Sequence, residues 1–183
     1  MGQIERICTG VCVPDRIILR EKDLGFEEYY SLAKKVKAVC GNVPLSVHGH
    51  FGMGEISRDI HVSFPVFMSE GFQAVKGDFD VTGVSVHSVS EAISAAENGA
   101  DYLIAGHIFE TDCKKGLPPR GAGFLRDICG SVDIPVYAIG GITTDNARLC
   151  LRAGAAGVCV MSSLMRADEP GELIDGLKAA MTV

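Results

Sequence analysis

The chain has 183 residues, 47% of them apolar, and a formal net charge of −6. That length sets a soft expectation of one domain spanning residues 1–183, and the acidic balance argues against a general nucleic-acid binder or a protein that docks on anionic membranes. No run of eighteen apolar residues predicts a transmembrane helix, the N-terminal stretch lacks the apolar centre of a signal peptide, and the 7 cysteines, an odd number, sit mostly in apolar runs (Cys8, Cys40, Cys129, Cys150, Cys159), as expected of buried thiols in a reducing cytoplasm.

In chain order the pattern alternates. Short apolar runs bounded by Gly, Pro or Asp predict strands at Ile4–Thr9, Arg16–Arg20, Pro44–His48, Asp59–Ser63, Thr82–Val86, Asp101–Gly106, Ile134–Ile139 and Gly157–Met161. Between them, Phe26–Val39 carries Tyr29, Leu32, Ala33, Val36 and Val39 on one helical stripe. Ser90–Asn98 starts at a capping serine and stops before Gly99. Phe124–Cys129 follows a Gly121-Ala122-Gly123 turn, Asp145–Ala153 follows Thr143 and Thr144, and Gly171–Met181 ends the chain as a helix. Eight strands alternating with helices predict an α/β chain folded as a compact (β/α)8 TIM barrel. The stretches after the first and third predicted strands are too short for full helices, so those helices are expected to be shortened or missing. An open doubly wound sheet is the competing architecture, but no G-x-G-x-x-G follows the first strand.

In such folds chemistry gathers at the C-terminal ends of the strands. Gly140-Gly141 ends the seventh predicted strand, and Met161-Ser162-Ser163 ends the eighth. Glycines let a backbone approach an anion, and free N–H groups donate to it, so the pair reads as a phosphate cradle. Arg20 and Lys22 share a face just past the second strand, where cations would meet a substrate anion. His48-Gly49-His50 with Glu55 matches the spacing of a cupin metal site. A cupin is all-β, however, whereas this chain alternates with helices, so His48 is read as a pocket wall. Ser85 is placed facing the pocket, and His87 is read as a capping or structural residue. His107 ends the sixth strand, is suited to proton transfer near neutrality, and is followed by Thr111 and Lys114 in a loop fit to hold an anion. Cys113 has no evident activating partner and is read as a loop thiol.

Gly106–Gly116 followed by Arg120-Gly121 resembles the matching loop of the thiazole tautomerase (TenI) family. Ile18–Asp23, Ser85–Ser88, Ala138–Thr143 and Gly157–Ser163 resemble segments of the wider thiamin phosphate synthase/TenI superfamily. The resemblance runs from about Arg16 to the C-terminus and is weakest between Gly49 and Asp80. It implies a TIM barrel, a role in thiamin biosynthesis, a small phosphorylated thiazole as ligand, and self-association. It also implies two separable activities. The synthase joins a pyrimidine diphosphate to a thiazole phosphate with Mg²⁺, whereas the tautomerase aromatises a carboxythiazole phosphate without a metal or other cofactor. Where synthases carry Mg²⁺-binding carboxylates, this chain has His48-Gly49 and Ser63-Phe64-Pro65-Val66. After Gly106 it has the His107 of tautomerases rather than the usual proline of synthases. The expectation is therefore a metal-independent tautomerase with His107 as acid/base, the phosphate on Gly140, Gly141, Ser162 and Ser163, and Arg20, Lys22, His48, Ser85, Thr111, Lys114 and Met161 around the substrate. The alternatives are a Mg²⁺-dependent synthase, using carboxylates such as Glu55 or Asp59, and a non-catalytic regulator that binds thiazole phosphate.

Overall fold

Residues along the strands fall into two alternating classes, and the classes sort to opposite faces of one sheet. Leu45, Val47, Ile60, Val62, Val84, Val86, Leu103, Ala105 and Ala138 are buried against helices. The intervening positions Ser46, His48, Asp59, His61, Ser63, Gly83, Ser85 and Tyr102 take the other face. The structure, a computed structural model, describes residues 2–182. Its strands are β1 (Ile17–Leu19), β2 (Leu45–His48), β3 (Asp59–Ser63), β4 (Val81–Val86), β5 (Tyr102–Gly106), β6 (Val136–Ile139) and β7 (Gly157–Cys159), all parallel and adjacent in sequence order. The helices are α1 (Gly2–Thr9), α2 (Phe26–Cys40), α3 (Phe64–Phe67), α4 (Glu70–Val75), α5 (Val89–Glu97), α6 (Gly121–Cys129), α7 (Ala147–Arg152), α8 (Ser162–Arg166) and α9 (Pro170–Met181).

The first predicted strand is a correction: Ile4–Thr9 lies within helix α1. Ile4, Ile7 and Cys8 recur at i, i+3 and i+4, which is a helical stripe, and Gln3, Glu5 and Arg6 take the remaining positions. Cys8 packs its Sγ 3.7 Å from that of Cys40 on α2. Gln3 donates to the carbonyls of Leu164 and Ala167, each at 2.9 Å, and so docks α1 near α8. The sheet consequently has seven strands rather than eight among the described residues, with β1 and β7 as its edges. It is a curled half-barrel of the TIM type. Arg16, at the foot of β1, lies 5.9 Å from the ring of Tyr102 four strands away on β5, a contact that a flat sheet would forbid. The unbroken strand order also excludes the doubly wound alternative, in which the order reverses at a switch point.

The link between β2 and β3 carries no helix, as expected from its length. Between β3 and β4 the chain forms α3 and α4, which the sequence reading did not predict. Pro65 in the first turn starts α3, and the Ser69 hydroxyl starts α4 by accepting from the Phe72 N–H at 3.3 Å. Ser88 rather than Ser90 caps α5, accepting from the Glu91 N–H at 3.1 Å. Helix α7 starts at Ala147 instead of Asp145 because Asn146 folds back. Its Oδ1 accepts from the Thr143 N–H at 2.8 Å, and its Nδ2 donates to the Gly141 carbonyl at 2.9 Å. That clamp fixes the turn after β6. No helix among the described residues is long and apolar enough to cross a membrane.

Candidate active site at the mouth of the half-barrel

The loop after β5 and the turn after β6 are built as one unit. Gly140 and Gly141 adopt φ of 99° and 67°, a region costly for residues with a side chain. A Cβ on Gly140 would run into His107, and one on Gly141 would meet the backbone of Glu110 and, at 2.8 Å, that of Phe109. The Ile108 N–H donates to the Ile139 carbonyl at 2.9 Å and the Phe109 N–H to the Gly140 carbonyl at 3.0 Å, which sets His107 directly beside the double-glycine turn. The N–H groups of Gly140 and Gly141 have no acceptor among the described residues. The His107 ring is half-buried. Its Nε2 lies 3.3 Å from the Leu117 carbonyl, which can only accept, so Nε2 carries the hydrogen and Nδ1 keeps a free lone pair.

Beyond His107, Thr111 Oγ1 accepts from the Cys113 N–H at 3.4 Å and starts a single 3-10 turn, Asp112–Lys114. Cys113 Sγ lies 3.3 Å from Ser162 Oγ at the start of α8. The structure thus brings together the His107 loop, the double-glycine turn and Ser162. Ser163 and Met161 are exposed beside it.

The opposite rim carries Arg20 and Lys22, both exposed just past β1, and the half-buried His48 at the end of β2. The Tyr29 hydroxyl of α2 donates to the Leu19 carbonyl at 2.6 Å and accepts from the His48 N–H at 2.9 Å, tying these two strand ends together. Burial first, and then the positive charge of Arg20, push His48 down to about 4, so its ring is neutral near pH 7. His50 turns away and stacks on Tyr29 with ring centroids 4.0 Å apart, while His48 approaches His61 at 5.8 Å. The His-x-His spacing therefore does not converge on one point, and no cluster of three or more His, Cys, Asp or Glu forms among the described residues. His87 is exposed and held structurally: its Nδ1 lies 3.2 Å from the Gly106 carbonyl, and its N–H donates to the Glu91 carboxylate at 2.6 Å.

Sequence reasoning placed Ser85 at the pocket but missed what stands behind it. His61 is 2% exposed and bonds Ser85 Oγ at 2.8 Å through Nε2 and Tyr102 Oη at 3.1 Å through Nδ1. The available signal was the strand Asp59-Ile60-His61-Val62-Ser63, in which every second residue is polar.

Magnesium, which the synthase activity requires, needs several hard oxygen ligands. The loops of this mouth carry Glu21, Asp23, Glu110 and Asp112 beside imidazole and cations, but no three His, Cys, Asp or Glu side chains among the described residues converge as a metal site. Of the two carboxylates considered, Glu55 accepts from the Tyr30 hydroxyl of α2 at 2.9 Å. Asp59 is ion-paired with Arg16 at the start of the strands, the end away from the mouth. The residues present do not fit the ion.

The model of the family described as thiamine monophosphate synthase, TMP-TENI, matches residues 3–164. The chain belongs to this family. It is 34% identical over 174 residues to thiamine-phosphate synthase 2 of Streptococcus pneumoniae, a match covering 92% of this chain and 81% of the relative. It is equally 34% identical over 181 residues to the thiamine-phosphate synthase of Alkaliphilus oremlandii, covering 97% and 85%. Among solved structures, the thiamine phosphate pyrophosphorylase from Pyrococcus furiosus superposes with a TM-score of 0.81 at 30% identity, over 98% of this chain and 87% of that one. A 3-hexulose-6-phosphate synthase, at 16% identity and a TM-score of 0.69, shares the fold alone. The chain is thus a thiamine-biosynthesis enzyme of the TMP-TENI family. These TMP-TENI relatives bear the synthase's name, which favours the activity that the sequence reading places second.

Proposed function

We propose that this enzyme is a thiazole tautomerase, moving a proton on a carboxythiazole phosphate to give the aromatic ring. The observation that carries this reading is His107, with Nδ1 free, beside a double-glycine turn with free N–H groups, in a mouth where no three His, Cys, Asp or Glu side chains among the described residues converge. The substrate phosphate sits on the N–H groups of Gly140 and Gly141 and on Ser162 and Ser163, with Lys114 and Thr111 closing over it. Arg20 and Lys22 hold the ring carboxylate. Neutral His48, Ser85 and Met161 line the ring. His107 Nδ1 takes the proton from one ring position and returns it to another, while the Leu117 carbonyl holds Nε2–H and steadies the imidazolium. Aromatisation supplies the driving force.

A positioned base contributes on the order of 10²–10⁴-fold, so His107→Asn lowers turnover by that factor while phosphate binding persists. Ultraviolet detection of thiazole aromatisation, with and without EDTA, tests both points. Near-normal turnover in His107→Asn removes the assignment. The second reading, thiamine-phosphate synthase, is favoured by the names of the relatives. Condensation of the two phosphorylated halves that is abolished by EDTA would establish it.

A further inference from the structure

The inward face of the strands holds a file of polar groups that the proton shift does not use. Arg16 Nη1 donates to Ser46 Oγ at 2.9 Å, the Arg16 guanidinium lies 5.9 Å from the Tyr102 ring centre, Tyr102 Oη lies 3.1 Å from His61 Nδ1, and His61 Nε2 lies 2.8 Å from Ser85 Oγ. Ser46 is 0%, His61 2% and Tyr102 8% exposed. TIM-type interiors are ordinarily filled with branched apolar residues, and burying hydroxyls and an imidazole is costly unless each is bonded. Here each is: no buried side-chain nitrogen or oxygen among the described residues lacks a partner. Gly83 makes room for the file, because a Cβ there would fall in the Tyr102 ring, within 2.5 Å of Cε1.

Arg16 only donates, so Ser46 meets it with a lone pair. Neutral His61 donates from one ring nitrogen and accepts at the other, so its two bonds run in one sense, from Tyr102 through His61 to Ser85 or the reverse. The sense from Tyr102 to His61 to Ser85 leaves the Ser85 proton for a ligand at the mouth. We propose that this file is a hydrogen-bond relay that presents Ser85 as a donor to the bound ring, with His61 as a positioning residue, and that it selects ligands offering a ring nitrogen or carboxylate oxygen at that point. The proposal rests on the mouth being the ligand site.

Ring-nitrogen ¹⁵N spectra of the full chain test the relay without any substrate: His61 is expected to show a protonated Nε2 and a pyridine-type Nδ1. Tyr102→Phe removes one hydroxyl and leaves the ring in place. It is expected to mix the His61 tautomers and to weaken binding of carboxythiazole phosphate about tenfold, in line with the loss of one buried hydrogen bond, while binding of inorganic phosphate stays unchanged. A wild-type His61 protonated at Nδ1, or a Tyr102→Phe chain that binds carboxythiazole phosphate normally, overturns the relay. A wild-type chain that binds this compound without isomerising it refutes the tautomerase instead, and the ¹⁵N pattern and the Tyr102→Phe comparison still decide the relay.

Discussion

Two neutral histidines inside the half-barrel make stability depend on pH in a way that can be worked out in advance. Burial first, then the neighbouring His48 and Arg20, push His61 down to about 3, and His48 lies at about 4. An unfolded histidine titrates near 6.5. Between these limits the unfolded chain binds protons that the folded chain refuses, so stability is full above about pH 6.5, falls as the pH drops, and stops falling through these groups only below their folded values. Each group contributes a slope of about 1.4 kcal/mol per pH unit, so the pair lowers stability by about 4 kcal/mol between pH 6 and 4.5. That is a large share of the roughly 5–15 kcal/mol typical of a domain. The assay is urea unfolding followed by circular dichroism across that window, since the chain has 0 tryptophans. His61→Gln should reduce this pH slope by one proton relative to wild type, whatever its baseline stability, because the carboxylates titrate alike in both chains. Parallel slopes would refute the reasoning, as would a His61 Cε1 proton signal that titrates near pH 6.

Gly83→Ala places a carbon in the Tyr102 ring and should cost about 2–5 kcal/mol, from overpacking and from the disrupted bond to His61. Thermal melting reads this loss, and adding Tyr102→Leu should recover part of it. Ser88→Ala removes the cap of α5 and should cost about 1 kcal/mol in urea with turnover unchanged. A loss of turnover without a loss of stability would show that Ser88 does more than cap.

Much of the architecture was legible because the helix-facing strand residues form clean apolar sets. Leu45 and Val47, or Val84 and Val86, mark strands whichever way the other face turns. The N-terminal segment was misread because Ile4, Ile7 and Cys8 fit a short apolar run as well as a helical stripe, and six residues are too few to separate the two periods. Helices α3 and α4 escaped because each is shorter than the window over which amphipathic periodicity shows, although Pro65 and Ser69 marked their starts. At the site, His107 and the double glycine stood out through their places at strand ends. His61 did not, because its meaning depends on Tyr102, 41 residues away, and on the emptiness of Gly83, a relation of three strands that no local spacing encodes.

The division of the strands into a helix-facing apolar side and an inward polar side has a consequence for how this enzyme can change. Cohesion comes from the layer between sheet and helices, where Val47, Ile60, Val62, Val84 and Leu103 are wholly enclosed. Ser46, His61, Ser85 and Tyr102, the residues of the proposed relay, lie on the other face of the same strands. Substitutions there can be explored without dismantling what keeps the chain folded, provided that each buried polar group keeps a partner. Exchanges along the inward file are therefore best made in pairs, and a matched replacement of His61 and Tyr102 by apolar residues of similar size should leave more folded protein than the replacement of His61 alone.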